Sequence, residues 1–138
     1  MPTDFLDAHE RHWQDAELLL DNQRWANADH LYGVSAECGL KHLLERQQGK
    51  PIQPNQRRHI REDAKPEDIW DIYQTYQSGR ASGVQSALPL DNPFASWSIS
   101  GRYAHRQDFD EQSIARHRQG ALLVYRLVAH FNRDELQP

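Results

Sequence analysis

Arg102 and His105 are the residues of this sequence whose types and spacing best suit phosphate chemistry. They lie in the segment WSISGRYAHRQDF at residues 97–109. An arginine can hold a phosphate through forked hydrogen bonds, and a histidine can gain or lose a proton near neutral pH. Two interpretations follow: the segment is a site for an anion, or it is a loop that Trp97 and Tyr103 fasten over an open end of the fold.

A second basic group, RRHIR, stands at residues 57–61. Its members Arg58, His59 and Arg61 are suited to phosphate oxygens by charge and by forked hydrogen bonds. The same composition is also typical of a solvated turn, and this second interpretation is favoured. Convergence of Arg102 on this group would favour the phosphate site.

The histidines of the helical regions form a third group of candidates. His9 and His12 are three residues apart and would share one helix face, with His42 or His117 as the third ligand of a metal. Partly buried, hydrogen-bonded core histidines would show the same pattern. The sequence lacks the Glu-x-x-His pair of di-iron bundles. We therefore expect neither a metal nor another cofactor.

Motifs for nucleophilic catalysis and for phosphate-binding loops are missing. The sequence has no Gly-x-Ser-x-Gly elbow, and nothing specific supports a serine, histidine and acid triad. Gly49 and Lys50 lack the preceding glycine and the following hydroxyl residue of a P-loop. We expect Cys38, the single cysteine, to be a small core residue.

Hydrophobic periodicity predicts the helices that must position these residues. Capping and stop signals place helix one at about 4–22 and helix two at 27–48. Helix three is expected to begin at Pro66 and to end near Gly79, and the last helix to run from about 110 to 133. The connection at 50–65 is expected to hold a helical turn near His59. The inner stripe of the last helix comprises Ile114, His117, Ala121, Val124, Tyr125 and Val128.

The predicted fold is all-α. No convincing alternation of apolar and polar residues indicates strands. We expect one domain, residues 1–138, built as an antiparallel bundle of four main helices with room for a fifth short helix. The long loop at about 79–97 is unusual for a compact domain and suggests a functional or interface role.

Composition restricts the kinds of partner. The formal net charge of −4 argues against general coating of nucleic acid, so any such contact must be local. The N-terminal residues lack the apolar run of a signal peptide, and no stretch is apolar for long enough to cross a membrane. With only one cysteine, a cytoplasmic protein without membrane contact is expected.

The order of several polar and apolar residues resembles a known superfamily. The second predicted helix has a small-residue run, an acid, a Leu-Lys pair and a leucine-rich end. A His-Ile pair follows that helix, and an Arg-Tyr pair precedes the last one. These residues are Ala36, Glu37, Leu40, Lys41, Leu43, Leu44, His59, Ile60, Arg102 and Tyr103. From Phe5 to about Phe131, the chain resembles the HEPN superfamily, the nucleotide-binding domains of prokaryotes and higher eukaryotes.

The resemblance implies a helical module that binds a nucleotide, RNA or a partner protein such as a nucleotidyltransferase. It further implies a homodimer, and the four tryptophans and five tyrosines would suit an interface. The implied ligand-binding residues are Arg102, Tyr103, His59, Arg58, Arg61, Glu37 and Lys41.

An alternative implied by the same resemblance is a divergent metal-independent ribonuclease of the toxin or phage-defence type. Arg102 and His105 would be its catalytic residues, the histidine moving a proton and the arginine stabilising charge on the phosphate. The sequence departs from the family's ribonuclease motif because only two residues separate this arginine from this histidine. This departure favours binding over catalysis.

Overall fold

The computed structural model describes residues 1–63, 67–79 and 88–136, with side chains as far as residue 132. Within those ranges it contains four α-helices and no β-strand, which confirms the all-α prediction. None of the described helices is both long enough and apolar enough to cross a membrane. The helices are α1 (Phe5–Asp21), α2 (Trp25–Gln48), α3 (Ile69–Ser78) and α4 (Glu111–Leu136).

Side-chain caps begin two of the helices. The Asp4 carboxylate accepts the amide of Asp7 at the start of α1, at 3.0 Å. At α3 the Asp68 carboxylate accepts the amide of Asp71, at 3.0 Å, so this acid caps the helix, which begins at Ile69. The predicted first residue of that helix, Pro66, lies outside the described residues.

Helix α2 lies at the centre of the bundle. It packs antiparallel to α1, and the rings of Trp13 and Tyr32 are in tilted contact at a centroid distance of 5.7 Å. A Cβ added to Gly39 would lie 2.6 Å from a methyl group of Val124 and 2.7 Å from His9 Nδ1. The glycine therefore allows α1 and α4 to approach α2 at the same level.

Helix α4 runs in the same direction as α2 and antiparallel to α1. Its contacts with α2 advance along both helices, from Asp29 with His117 to His42 with Asn132. The long connection between α2 and α4 permits this direction because it returns the chain to the starting end of the bundle. As predicted, the inner stripe of α4 is buried, with Tyr125 only partly so.

The connection between α2 and α3 differs from the prediction. Its helical turn is a 3₁₀ turn at Pro54–Gln56, and the expected turn near His59 is wrong. A capping box formed by Gln53 and Gln56 favours the earlier position. The amide of His59 instead donates to the Glu62 carboxylate at 2.9 Å, and its carbonyl accepts the amide of Ile69 at 2.9 Å.

The part of the long loop that the structure describes is tied to the helices through backbone carbonyls. The indole of Trp70 donates to Pro89 O at 3.1 Å, and Nδ2 of the Asn92 side chain donates to Ile60 O at 2.8 Å. Because irregular backbone must satisfy its polar groups, these side chains allow the segment from residue 88 onward to lie against the bundle. Residues 80–87 of the predicted loop are outside the described residues.

Trp97 is the main anchor of the segment that follows. Its side chain is 2 % exposed, and its indole donates to Asp29 O at 3.1 Å. A Cβ at Gly33 would overlap the indole, so the glycine provides the space for this ring on α2. The predicted fastening role of this tryptophan is confirmed by its position.

Replacing this anchor should destabilise the fold. We expect Trp97→Ala to lower the free energy of unfolding by about 3 to 5 kcal/mol, because it removes a fully buried aromatic ring. Chemical denaturation followed by circular dichroism measures the change. Trp25→Ala is the matched control, because Trp25 is 37 % exposed and should lose less stability. Equal stability of the Trp97→Ala and wild-type proteins would contradict this role.

His9 joins α1 to α2 in the interior. Its ring is fully buried, and Nδ1 donates to Ser35 O at 2.7 Å, while the Ser35 hydroxyl donates to His9 O at 2.8 Å. Burial lowers the pKa of His9 from 6.5 to about 4, and the nearby His42 and His12 add to the decrease. The imidazole is therefore neutral in the folded protein near pH 7.

The low pKa of His9 predicts loss of stability in acid. Between its unfolded value of 6.5 and its folded value of about 4, the unfolded chain binds more protons. The contribution of this group is therefore complete above the unfolded value and falls as the pH decreases towards 4. The loss should reach about 3 kcal/mol.

Denaturation curves across this pH range would measure the effect of His9. His9→Asn can keep the hydrogen bond to Ser35 O without a titrating ring, so its stability should depend less on pH. His105→Asn is the control at an exposed histidine and should keep the wild-type dependence. Identical pH dependence in the His9→Asn and wild-type proteins would show that another group is responsible.

Candidate functional site

The Arg102–Tyr103 pair projects from the segment that Trp97 anchors. It lies in a 3₁₀ turn, Ile99–Tyr103. The Arg102 guanidinium donates to Ile99 O at 3.0 Å and lies over the Tyr103 ring, 4.6 Å from its centroid. The tyrosine is 77 % exposed, so the expectation that it covers the bundle is wrong. An arginine and a tyrosine that lie next to each other can stack on a planar group and contact an anion.

His105 lies just beyond this pair, at the start of the next 3₁₀ turn, Arg106–Asp108. Its Nδ1 accepts the amide of Gln107 at 3.1 Å, so the neutral ring carries its proton on Nε2. Arg102 and His105 are both exposed, and each forms its hydrogen bond within its own turn. The structure therefore places the predicted catalytic pair on one surface segment rather than in a buried cleft.

One hydrogen-bonded network brings together three of the predicted ligand-binding residues, Glu37, Lys41 and His59. Within it the negative charge of the carboxylate is compensated by its partners. The Glu37 carboxylate accepts Lys41 Nζ at 2.9 Å and His59 Nδ1 at 3.1 Å. Burial acts to raise the pKa of Glu37, but the bonds from His59 and Lys41 outweigh it, and the pKa lies below its usual value. The bond to Glu37 in turn raises the pKa of His59. The network joins α2 to the 57–61 segment.

Arg61 connects the two basic segments. Its Nη1 donates to Trp97 O at 3.0 Å and pairs with the Asp63 carboxylate at 2.8 Å. Arg58 donates to Arg57 O at 3.4 Å. The 57–61 segment thus reaches the anchor of the 97–109 segment through a backbone carbonyl.

The predicted metal ligands are dispersed among separate partners. His9 bonds to Ser35, His42 to Asn132 at 3.3 Å, and His117 to Asp29. In the described ranges no three histidine, cysteine or acidic residues lie close enough together to hold a metal ion. Cys38 is buried, as predicted, and burial raises the pKa of its thiol to about 12.

A cavity of about 190 Å³ lies under the 97–109 segment, between α2 and α4. Asp29 and His117 line it from the two helices, and Ser96 lines it from the end of the long loop. His117 Nδ1 lies 2.5 Å from Asp29 Oδ1, and His117 Nε2 lies 3.0 Å from Ser96 Oγ. Trp97 and Phe109 provide apolar lining.

The serine, histidine and aspartate of this cavity were not predicted as a group. The inward stripe of α4 contained His117, but no local motif marked Ser96 or Asp29. The histidine and the aspartate are 88 positions apart in the sequence. Only the parallel packing of α2 and α4 brings them together, and periodicity does not reveal helix pairing.

Comparisons of the chain with protein-family models, with curated proteins and with solved structures find no match.

Proposed function

We propose that this chain is a HEPN-like helical module that binds a nucleotide or single-stranded RNA through the Arg102–Tyr103 pair. The observation that carries the proposal is the exposed Tyr103 ring with a guanidinium 4.6 Å from its centroid. Single-stranded RNA is commonly bound by bases that stack on aromatic rings and on arginine planes. The pair presents both kinds of surface.

The surroundings of the pair add positive charge where a phosphate would lie. Arg106 adds a second arginine to the same exposed segment, and Nε2 of His105 adds a hydrogen-bond donor. This local concentration of cationic groups agrees with an overall net charge of −4, because a short segment suffices for a nucleotide or a few linked nucleotides. Most of the acidic protein surface would then be excluded from the contact.

The other predicted ligand-binding residues take a positioning role in this proposal. Glu37, Lys41 and His59 hold the 57–61 segment against α2, and Arg61 of that segment holds Trp97 O. Arg57 and Arg58 are the other two arginines of this segment. Preorganisation of the loop lowers the entropy that binding would otherwise cost.

Removal of the aromatic ring should weaken binding of RNA. A fluorescently labelled single-stranded RNA of mixed sequence is titrated with the full chain and followed by fluorescence anisotropy. Tyr103→Ala should raise the Kd about 5- to 150-fold, because one stacked base is worth about 1 to 3 kcal/mol. Tyr103→Phe keeps the ring and should retain the affinity.

Two arginine variants separate stacking from general charge. Arg102→Ala should weaken binding, whereas Arg126→Ala removes an exposed arginine on α4 and should leave the Kd unchanged. Equal losses in these two variants would indicate nonspecific attraction and contradict the proposed site. Absence of binding to both RNA and mononucleotides would favour a partner protein, such as a nucleotidyltransferase, as the occupant of this surface.

The ribonuclease alternative is tested with the same RNA in the presence of a chelator. A module that only binds leaves the RNA intact at all incubation times. Cleavage by the wild-type protein that His105→Ala abolishes would contradict the binding-only proposal and assign catalysis to Arg102 and His105.

The expected homodimer is measured separately by sedimentation. Three of the four tryptophans are buried in the core and do not contribute to an exposed interface.

A further inference from the structure

Ser96, His117 and Asp29 form a continuous hydrogen-bonded chain at the wall of the 190 Å³ cavity. His117 Nδ1 donates to the Asp29 carboxylate at 2.5 Å, which leaves Nε2 of the neutral ring as an acceptor. The Ser96 hydroxyl can donate to that nitrogen over 3.0 Å. The serine therefore donates to the histidine, and the histidine donates to the aspartate. Hydrogen bonds in this direction activate a serine hydroxyl.

The three side chains differ in exposure in a way that suits this chemistry. His117 is 1 % exposed and Asp29 is 5 % exposed, whereas Ser96 is an exposed residue. The Phe94 ring stacks on the imidazole with 5.5 Å between centroids and 16° between planes, which fixes the orientation of the histidine. The base is therefore held rigidly inside, and the hydroxyl is accessible from outside.

We propose that Ser96 is a catalytic nucleophile for small carboxylic esters, with His117 as its general base and Asp29 as the residue that positions the imidazole. A cavity of about 190 Å³ lined by Trp97 and Phe109 has room for a short acyl chain. This activity goes beyond RNA binding and uses none of the side chains assigned to that function.

The reaction proceeds in two balanced steps. Ser96 Oγ bonds to the ester carbonyl carbon while Nε2 of His117 takes the hydroxyl proton. The ester C–O bond then breaks, and the alcohol leaves with that proton. Water next attacks the acyl group and gives a proton to His117. The Oγ–carbon bond breaks, the carboxylic acid leaves, and the proton returns to Ser96.

Covalent labelling tests the nucleophile directly. The full-length protein is incubated with an alkyl fluorophosphonate, which bonds to an activated serine through phosphorus and releases fluoride. Mass spectrometry should place the adduct on the peptide that contains Ser96. Ser96→Ala should lose the adduct, and the rate of p-nitrophenyl acetate hydrolysis should fall at least about a hundredfold.

Ser78→Ala is the control because Ser78 is an exposed serine on α3 outside the cavity lining, and its hydroxyl donates to Thr75 O at 2.9 Å. It should keep the wild-type labelling and hydrolysis rates. Labelling that is no faster in the wild type than in Ser96→Ala, or that falls on another serine, would overturn the proposal. Removing the hydroxyl also takes away the partner of Nε2 of the buried His117, so the melting temperature of Ser96→Ala is measured as well, and labelling is compared at a temperature where both proteins are folded.

The positioning role of Asp29 needs a readout other than stability. In Ser96→Cys, His117 should promote thiolate formation, so alkylation by iodoacetamide at residue 96 should extend to lower pH than for an ordinary exposed cysteine. Adding Asp29→Asn, which preserves the size of the side chain, should move that pH profile upward. An unchanged profile in the double variant would show that the aspartate has only a structural role.

Discussion

The packing of Trp97 against α2 is the interaction on which both proposed sites depend. The indole occupies the space that Gly33 leaves free, and its N–H group satisfies Asp29 O. Burial of this large ring gives the 97–109 segment a fixed position that its short 3₁₀ turns would not maintain alone. Arg61 adds a second attachment of the same residue by donating to Trp97 O.

Polar groups in the interior determine how the helices pair. His9 with Ser35 links α1 to α2, and both Asp29 with His117 and His42 with Asn132 link α2 to α4. A buried polar group without its partner costs free energy, so helix arrangements that separate these groups are disfavoured. Apolar contacts allow two helices to shift along each other more easily than these polar pairs do. The polar pairs therefore favour this particular alignment of α1, α2 and α4.

The helices could be predicted from the sequence because caps, stop signals and apolar spacing are local. The stripe of α4 was predicted for that reason, whereas fastening by Trp97 was one of two interpretations of its segment. The burial of Tyr103 and the helical turn near His59 were wrongly predicted, since both depend on hydrogen bonds in irregular backbone. The Ser96–His117–Asp29 chain could not be predicted, because its prediction requires the relative direction of two helices that are distant in the sequence.

The 97–109 segment separates the two proposed sites. Its outer face presents the Arg102–Tyr103 pair to solvent, whereas its inner face covers the cavity that contains the Ser96–His117–Asp29 chain. Substitution of Trp97 would disturb the backbone that both faces share, so it reports on folding rather than on either site. Ser96 and Tyr103 are exposed, and replacing one side chain leaves the shared backbone contacts in place. For that reason these two positions can distinguish a serine-dependent reaction from recognition of a nucleotide or RNA.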